Sequence, residues 1–390
     1  MSVAALAYLC FGVPKMEWQA PAGAPIAPHT DAVKVAIPLW ESMNRTELRR
    51  SSYQPKILWS LATTASWLSS AGASPTLTDD VNTDVLDAAS DKTLLEFPHT
   101  ALAKSDGKIL VCAFPAQGQN KSTSVQAWDL KTQNMLWDKP FASVGQFSEP
   151  ADGEVYVASR DGLFSLDAHT GKVLQQVNPK ADGDGGRGWM VVSRDYLYID
   201  WDARSVFALK RKDLRRGKKN YCMAHPVALV RDHVVAATNF NTGLGVLDKT
   251  AEHYRSFPPQ YLCGKWEVAV AKDRVFATGD AILGKTASGQ DIFGGERLMC
   301  FDARSRKKLW HKMLSCRSII PFGSHVADFA TPMAGGLPKF ALEIRDQKTG
   351  ALQWRQELWP GDPSGIPRPQ IIAIGDTLFL LAEGMLTAMR

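Results

Sequence analysis

The feature that most limits what this chain can fold into is an internal repeat. A short apolar strand ends at an acidic residue, a turn follows, and a tryptophan often stands eight residues past the acid. The clearest copies read VQAWDLKTQNMLW (125–137), LMCFDARSRKKLW (298–310) and LEIRDQKTGALQW (342–354). A fourth, GLFSLDAHTGKVLQQV (162–177), keeps the Asp and the turn but carries Gln175 where the Trp would stand. One such unit cannot bury its apolar faces alone. Units of roughly 40–50 residues built from short strands must stack around an axis, the pattern of a β-propeller.

A blade has four antiparallel strands, a to d from the axis outward, and its tight a–b turn favours Asp, Gly or Ser. Such turns fall at Asp106-Gly107, Asp152-Gly153, Arg194-Asp195, Arg231-Asp232, Lys272-Asp273, Gly323-Ser324 and Gly375-Asp376. Each leads into an apolar strand b, from ILVCAF in the first to LFLLA in the last. Strand c then ends at Asp129, Asp167, Lys210, Asp248, Asp302, Asp346 and Arg390. Seven turns and seven strand ends agree, and the expected fold class is all-β, a seven-bladed β-propeller. The last strand c reaches Arg390, so its outer neighbour must come from elsewhere, because an unpaired edge invites aggregation. Lys56-Ile57-Leu58-Trp59-Ser60 matches Asn134-Met135-Leu136-Trp137-Asp138, which predicts that residues 55–61 close the ring as an N-terminal strand. The alternative is a core Trp59 in an unrelated helix. The expected organisation is a mostly irregular N-terminal extension over 1–54 and a propeller over 55–390, with 62–97 as an inserted loop. Within the extension, Ala32 to Arg50 has the pattern of a short helix and APAGAPIAP that of an extended arm.

Composition narrows compartment more than function. With 45% hydrophobic and 22% charged residues the chain is ordinary for a folded globular protein, and its net charge of +5 permits an anionic partner without requiring one. Six cysteines show no CxxC pair and no zinc-like His spacing, so they read as buried thiols acting as small hydrophobes. That favours a reducing compartment. The N-terminal run MSVAALAYLCFGV lacks a basic flank and a cleavage site, and is too short to cross a bilayer. No membrane span and an intracellular location, cytoplasm or organelle lumen, are therefore expected.

With Thr170-Gly171-Lys172 after Asp167 and Lys348-Thr349-Gly350 after Asp346, the repeats over roughly 100–390 resemble those of the pyrroloquinoline-quinone (PQQ) propeller superfamily. Its blades carry a motif near A-x-D-x-x-T-G-x-x-x-W; here Ala168 follows the Asp instead of preceding it. That superfamily holds quinone-dependent dehydrogenases and non-catalytic assembly scaffolds. The dehydrogenases use an adjacent Cys-Cys pair and a Glu/Asn/Asp calcium site, and this sequence has neither. The resemblance thus implies the non-catalytic branch, with no catalytic residue, no cofactor and no metal. A WD-repeat reading comes second, resting on Trp128-Asp129 alone. The run DGDGGRG (182–188) does not form a GxGxxG fingerprint and precedes a strand rather than a helix, so it reads as a solvated connection.

The spacing between turns places additions at about 114–124, 280–296 and 331–338 in b–c loops, and a fourth before the first blade. Loops b–c and d–a emerge on one face, so these additions predict a protein-partner surface for an interaction scaffold in a larger complex. The candidate contacts are Gln117, Gln119, Lys121, Asp280, Lys285, Asp291 and Phe293, with Trp67 from the insertion at 62–97. An enzyme site at the central opening of that face is the alternative. The opposite face carries basic c–d turns at 210–219 and 304–308. There Arg211, Arg215, Arg216, Lys218, Lys219, Arg306, Lys307 and Lys308 are candidate anion contacts, for RNA in a ribonucleoprotein or for an acidic protein segment.

Overall fold

The computed structural model describes residues 51–390 except 66, 80, 99–101, 115–121, 178–189, 201–205, 221–223, 231–232, 239–243, 252, 258–267, 286–290, 314, 332–339 and 359–368. The expected N-terminal helix and arm, and the run 182–188, lie outside the described residues. The described chain is all strand and turn, in sheets of four. Blade I is β2 (Trp67–Ala71), β3 (Ser74–Thr78), β4 (Asn82–Leu86) and β5 (Thr93–Pro98). Blade II is β6 (Leu102–Ser105), β7 (Ile109–Phe114), β8 (Ser122–Asp129) and β9 (Met135–Ala142). Blade III is β10 (Val144–Phe147), β11 (Glu154–Ser159), β12 (Gly162–Asp167) and β13 (Val173–Val177). Blade IV is β14 (Met190–Val192), β15 (Tyr196–Asp200), β16 (Val206–Lys210) and β17 (Arg216–Asn220). Blade V is β18 (Ala224–Val230), β19 (His233–Thr238), β20 (Leu244–Leu247) and β21 (Tyr254–Ser256). Blade VI is β22 (Val268–Ala271), β23 (Arg274–Lys285), β24 (Asp291–Asp302) and β25 (Lys308–Met313). Blade VII is β26 (Ser315–Phe322), β27 (His325–Thr331), β28 (Phe340–Asp346) and β29 (Leu352–Leu358). Blade VIII is β30 (Gln370–Ile374), β31 (Thr377–Ala382) and β32 (Met385–Met389), completed by β1 (Ile57–Ala62).

The ring therefore has eight blades, which corrects the seven expected from the sequence. The residues expected as an inserted loop, 62–97, hold a complete blade, β2 to β5. Blade I hides for two reasons. Its strands WLSSA, SPTLT and NTDVL carry hydroxyl side chains where other blades carry Val, Leu and Phe, and it has no repeat Trp. Its interior is still buried: all five residues of β3 are buried, and hydroxyls pair with one another, as Thr78 and Thr83 do at 3.2 Å. The last blade closes across the termini. Ser60 opposes Thr387 in the β1–β32 ladder, and Lys56 and Arg390 exchange backbone hydrogen bonds at 2.8 and 2.9 Å.

Each sheet buries one face against the next blade, so the core is a series of seams. Eight apolar clusters account for the eight seams among the described residues. The one that closes the ring sets Leu68, Leu77 and Leu86 of blade I against Phe379, Leu381, Leu386 and Ala388 of blade VIII.

The repeat motif has a local and a long-range role. Locally the Asp ending strand c accepts hydrogen bonds from its own turn: Asp167 from the backbone and hydroxyl of Thr170 (2.7 and 2.8 Å), Asp302 from both groups of Ser305, Asp346 from both groups of Thr349. Across the seam, the Trp of one blade docks on the turn of the next. Trp137 Nε1 donates to the Ala168 carbonyl at 2.8 Å and Trp310 Nε1 to that of Gln347 at 3.0 Å, with each indole lying over the glycine three residues further on, Gly171 or Gly350. Where Gln175 replaces the Trp, its amide donates instead to the carbonyls of Arg211 and Lys212 in blade IV, at 3.3 and 2.7 Å.

Candidate functional site

Strict antiparallel alternation puts every d–a and b–c connection on one face of the ring and every a–b and c–d turn on the other. On the first face, the addition expected at 280–296 is a β-ribbon rather than a loop: β23 and β24 run twelve residues each and stay paired to Lys285↔Asp291. Asp280 lies opposite Glu296 and Phe293 opposite Ile282, so four of the expected partner contacts share this one hairpin. Gln117, Gln119 and Lys121 lie outside the described residues. Trp67 belongs to no insertion: it is the first residue of β2, the innermost strand of blade I, at its end on this same face.

Trp67 has company that the sequence reading missed. Val81, in the b–c turn of blade I, and Leu102, opening β6 in blade II, reach the same face, and the three are 53%, 63% and 63% exposed. Strands β2 and β6 pack beside one another, so the three apolar side chains belong to neighbouring blades at one sector of the ring. Leu102 and Val81 were legible only once 62–97 was recognised as a blade.

On the other face the basic residues separate into unlike groups. The segment 210–219 is not one turn; residues 216–220 form β17, the outermost strand of blade IV, which carries Arg216, Lys218 and Lys219 to the rim of the ring. Arg215, in the turn, is 85% exposed and lies 3.5 Å from Asp213. Arg211 corrects the expectation of an anion contact. Its side chain is 9% exposed and turned inward, where it is paired with Asp152 at 2.7 Å and donates to Tyr156 Oη at 2.9 Å and to the Ala151 carbonyl at 3.0 Å. Burial opposes its charge, but Asp152 and Tyr156 outweigh burial and hold the guanidinium pKa above its ordinary value. Burial and the Glu154 carboxylate push the Tyr156 hydroxyl up to about 12. Arg211 is a bolt between blades III and IV. In blade VI, Arg306 and Lys307 sit in the c–d turn and Lys308 opens β25.

A concavity of about 350 Å³ opens on this face, lined by Arg194, Asp195, Tyr196, Lys210, Arg211, Lys212 and Lys249. Of these, Arg194 and Lys249 lie in turns that the repeat spacing located but were not among the expected anion contacts.

One charged cluster has three fully buried members, Asp328, Glu343 and Arg345, beside a fourth, Arg355, that is partly exposed. In blade VII, Arg345 reaches Asp328 at 3.2 Å and bonds Glu343, and Arg355 lies 3.3 Å from the other Glu343 oxygen. Burial pushes the Asp328 carboxyl up to about 7 although Arg345 pulls it down. The network lies within one sheet, with only Arg355 of its four members reaching solvent. Among the described residues no group of three or more His, Cys, Asp or Glu side chains is arranged to hold a metal ion, and no helix is long and apolar enough to cross a membrane.

No protein-family model matches the sequence, and no curated protein matches it. Solved structures do match in fold. The chain is similar to BamB from Moraxella catarrhalis at a TM-score of 0.56 and 13% identity, covering 86% of this chain and 100% of that one. It is similar to the computationally designed protein Ika8 at 0.58 and 11%, covering 85% and 98%. The dihydro-heme d1 dehydrogenase NirN in complex with DHE matches at 0.54 and 13%, covering 85% of this chain and 70% of that one. The chain is a β-propeller and a repeat protein; since a dehydrogenase and a computationally designed protein both match it, the likeness does not choose a function.

Proposed function

We propose that the ring is a non-catalytic scaffold of the PQQ-like repeat type that docks a protein partner within a larger assembly. The docking face is the one bearing the β23–β24 ribbon. The observation that carries this reading is the exposure of Trp67, Val81 and Leu102 together on that face. Solvated aromatic and aliphatic side chains grouped at one place are the usual anchors of a protein interface, because they bury much area for few rotors. The ribbon supports it: a paired hairpin holds its backbone in a fixed geometry, at small entropic cost on binding. The absence of adjacent cysteines from the sequence separates it from the quinone-dependent branch.

Affinity purification of the intact protein tests the proposal. It should return a stoichiometric protein partner that is lost from Trp67→Glu/Leu102→Glu and weakened by trimming 281–295 to a tight turn. Recovery of no partner, together with turnover in a substrate screen, would favour an enzyme working at the central opening.

A further inference from the structure

Blade IV breaks a repeat that six of the eight blades keep. Unlike blade VIII, where Arg390 follows strand c and pairs with Asp376 at 2.9 Å, blade IV leaves the base at that position without an ion pair among the described residues. Asp87, Asp129, Asp167, Asp248, Asp302 and Asp346 end strand c in six blades and place a carboxylate on the turn face, each accepting hydrogen bonds from its own turn. Blade IV has Lys210 at that position, so a negative charge is exchanged for a positive one. The next residue, small Ala168 in blade III, is here Arg211, whose head is drawn into the seam and bonded on several sides. A departure from a repeat's own rule, compensated elsewhere, is the kind of place where function is expected.

That departure shapes the concavity. Its wall joins the a–b turn of blade IV (Arg194, Asp195, Tyr196), the c–d turn of the same blade (Lys210, Lys212) and Lys249 from the c–d turn of blade V. Arg194, Lys210, Lys212 and Lys249 thus face a single carboxylate, Asp195, and none of the four cationic heads is ion-paired among the described residues. The turns are tied in place: Arg211 N donates to the Asp195 carbonyl at 3.0 Å, Tyr198 Oη to the Lys249 carbonyl at 2.7 Å, and the Arg211 guanidinium to the carbonyls of Ser193 and Arg194. A cationic basin with three anchored walls and a volume near the lower end of ligand pockets suits a compact, multiply charged anion better than an extended strand.

We infer that this concavity between the turns of blades IV and V binds a phosphate ester or polyphosphate group, on the face away from the proposed protein partner. Lysines and an arginine converging from three turns can neutralise several phosphate oxygens at once, and Tyr196 adds a partly exposed hydroxyl-bearing ring to the wall.

Isothermal titration of the intact protein with inorganic pyrophosphate, at about 50 mM and again at about 300 mM salt, tests this. Binding should be saturable and weaken with salt. Lys212→Glu/Lys249→Glu should reduce the affinity at least about tenfold with the melting temperature unchanged, because both side chains are exposed. The same reversal at the c–d turn of blade VI, which contributes no residue to the lining, Arg304→Glu/Lys307→Glu, should leave binding intact at the higher salt. The inference is overturned by no saturable binding up to about 1 mM pyrophosphate, or by equal losses in both double variants. It is also overturned if poly-glutamate binds as tightly with the same dependence on Lys212 and Lys249, since the site would then read carboxylates.

Discussion

A Cβ atom on Gly72 would lie 1.8 Å from the carbonyl oxygen of Ser105. Gly72 sits in the a–b turn of blade I and Ser105 ends the innermost strand of blade II, so the two blades meet backbone to backbone at the axis. Only a residue without a side chain permits that approach, and its φ of +61° adds a second reason for glycine. Gly72→Ala should cost about 3 kcal/mol or more, through overpacking against rigid backbone and the left-handed conformation together. Gly153→Ala is the control: its φ is +81°, but nothing lies within 4 Å of the added carbon, so about 1 kcal/mol is expected. Urea denaturation of the two variants measures the difference.

The repeat tryptophans should not be equivalent. Trp137 and Trp310 each donate an indole hydrogen bond to the next blade, whereas Trp59 Nε1 is buried without a partner. Trp137→Phe and Trp310→Phe therefore leave a turn carbonyl unsatisfied and should lose about 1–2 kcal/mol, while Trp59→Phe stays within about 0.5 kcal/mol of the parent. Trp59→Ala removes the ring packed at 5.7 Å from Phe379 and should cost about 3 kcal/mol, weakening ring closure. Thermal melts of the four variants decide this.

Arg211→Met tests the bolt between blades III and IV. It deprives Tyr156 and the Ser193 and Arg194 carbonyls of the guanidinium donor, while the Ala151 carbonyl keeps the Glu154 N–H and Asp152, 73% exposed, can rehydrate. A loss of about 1–3 kcal/mol is expected, read as a lower urea midpoint with an unchanged m-value.

The pH dependence of stability has two opposed contributions. Asp328 is raised from the ordinary 3.8 to about 7 in the folded protein, so between those values the folded state holds a proton that the unfolded chain has released. On that account stability falls as pH rises through the window. The turn aspartates Asp129, Asp167 and Asp302 are lowered by hydrogen bonds from Thr132, Thr170 and Ser305; their stabilisation is present above the unfolded pKa and is lost as pH falls. Asp328→Asn should therefore flatten the decline in urea midpoint from about pH 4.5 to 7.5 while leaving the acid limb below about pH 4 in place.

The β-propeller was legible because Asp, turn and Trp recur at fixed offsets, each doing the same job in its blade. Trp59 showed which strand completes the last sheet. Blade I escaped because its packing relies on Thr76, Thr78 and Thr83, which read as loop residues, although Asp87 and Ser90 carried the same turn signature as the visible blades. The anion contacts were less legible for a different reason. A run of like charges fixes a neighbourhood but not directions, and Arg211 points into a seam while Lys210 and Lys212 line the basin beside it. Lys249 and Arg194 were invisible as partners because they come from other turns, brought together only by the ring.

The eighth blade is the claim on which the arrangement of both faces depends, and amide hydrogen exchange of residues 67–98 tests it most directly. If β2 to β5 form a sheet within the ring, amides in β3 and β4, Leu77 and Val85 among them, should be protected to the same degree as those of β7 and β11. Exchange of 67–98 at the rate of an exposed loop, beside a protected remainder, would contradict the eight-bladed ring.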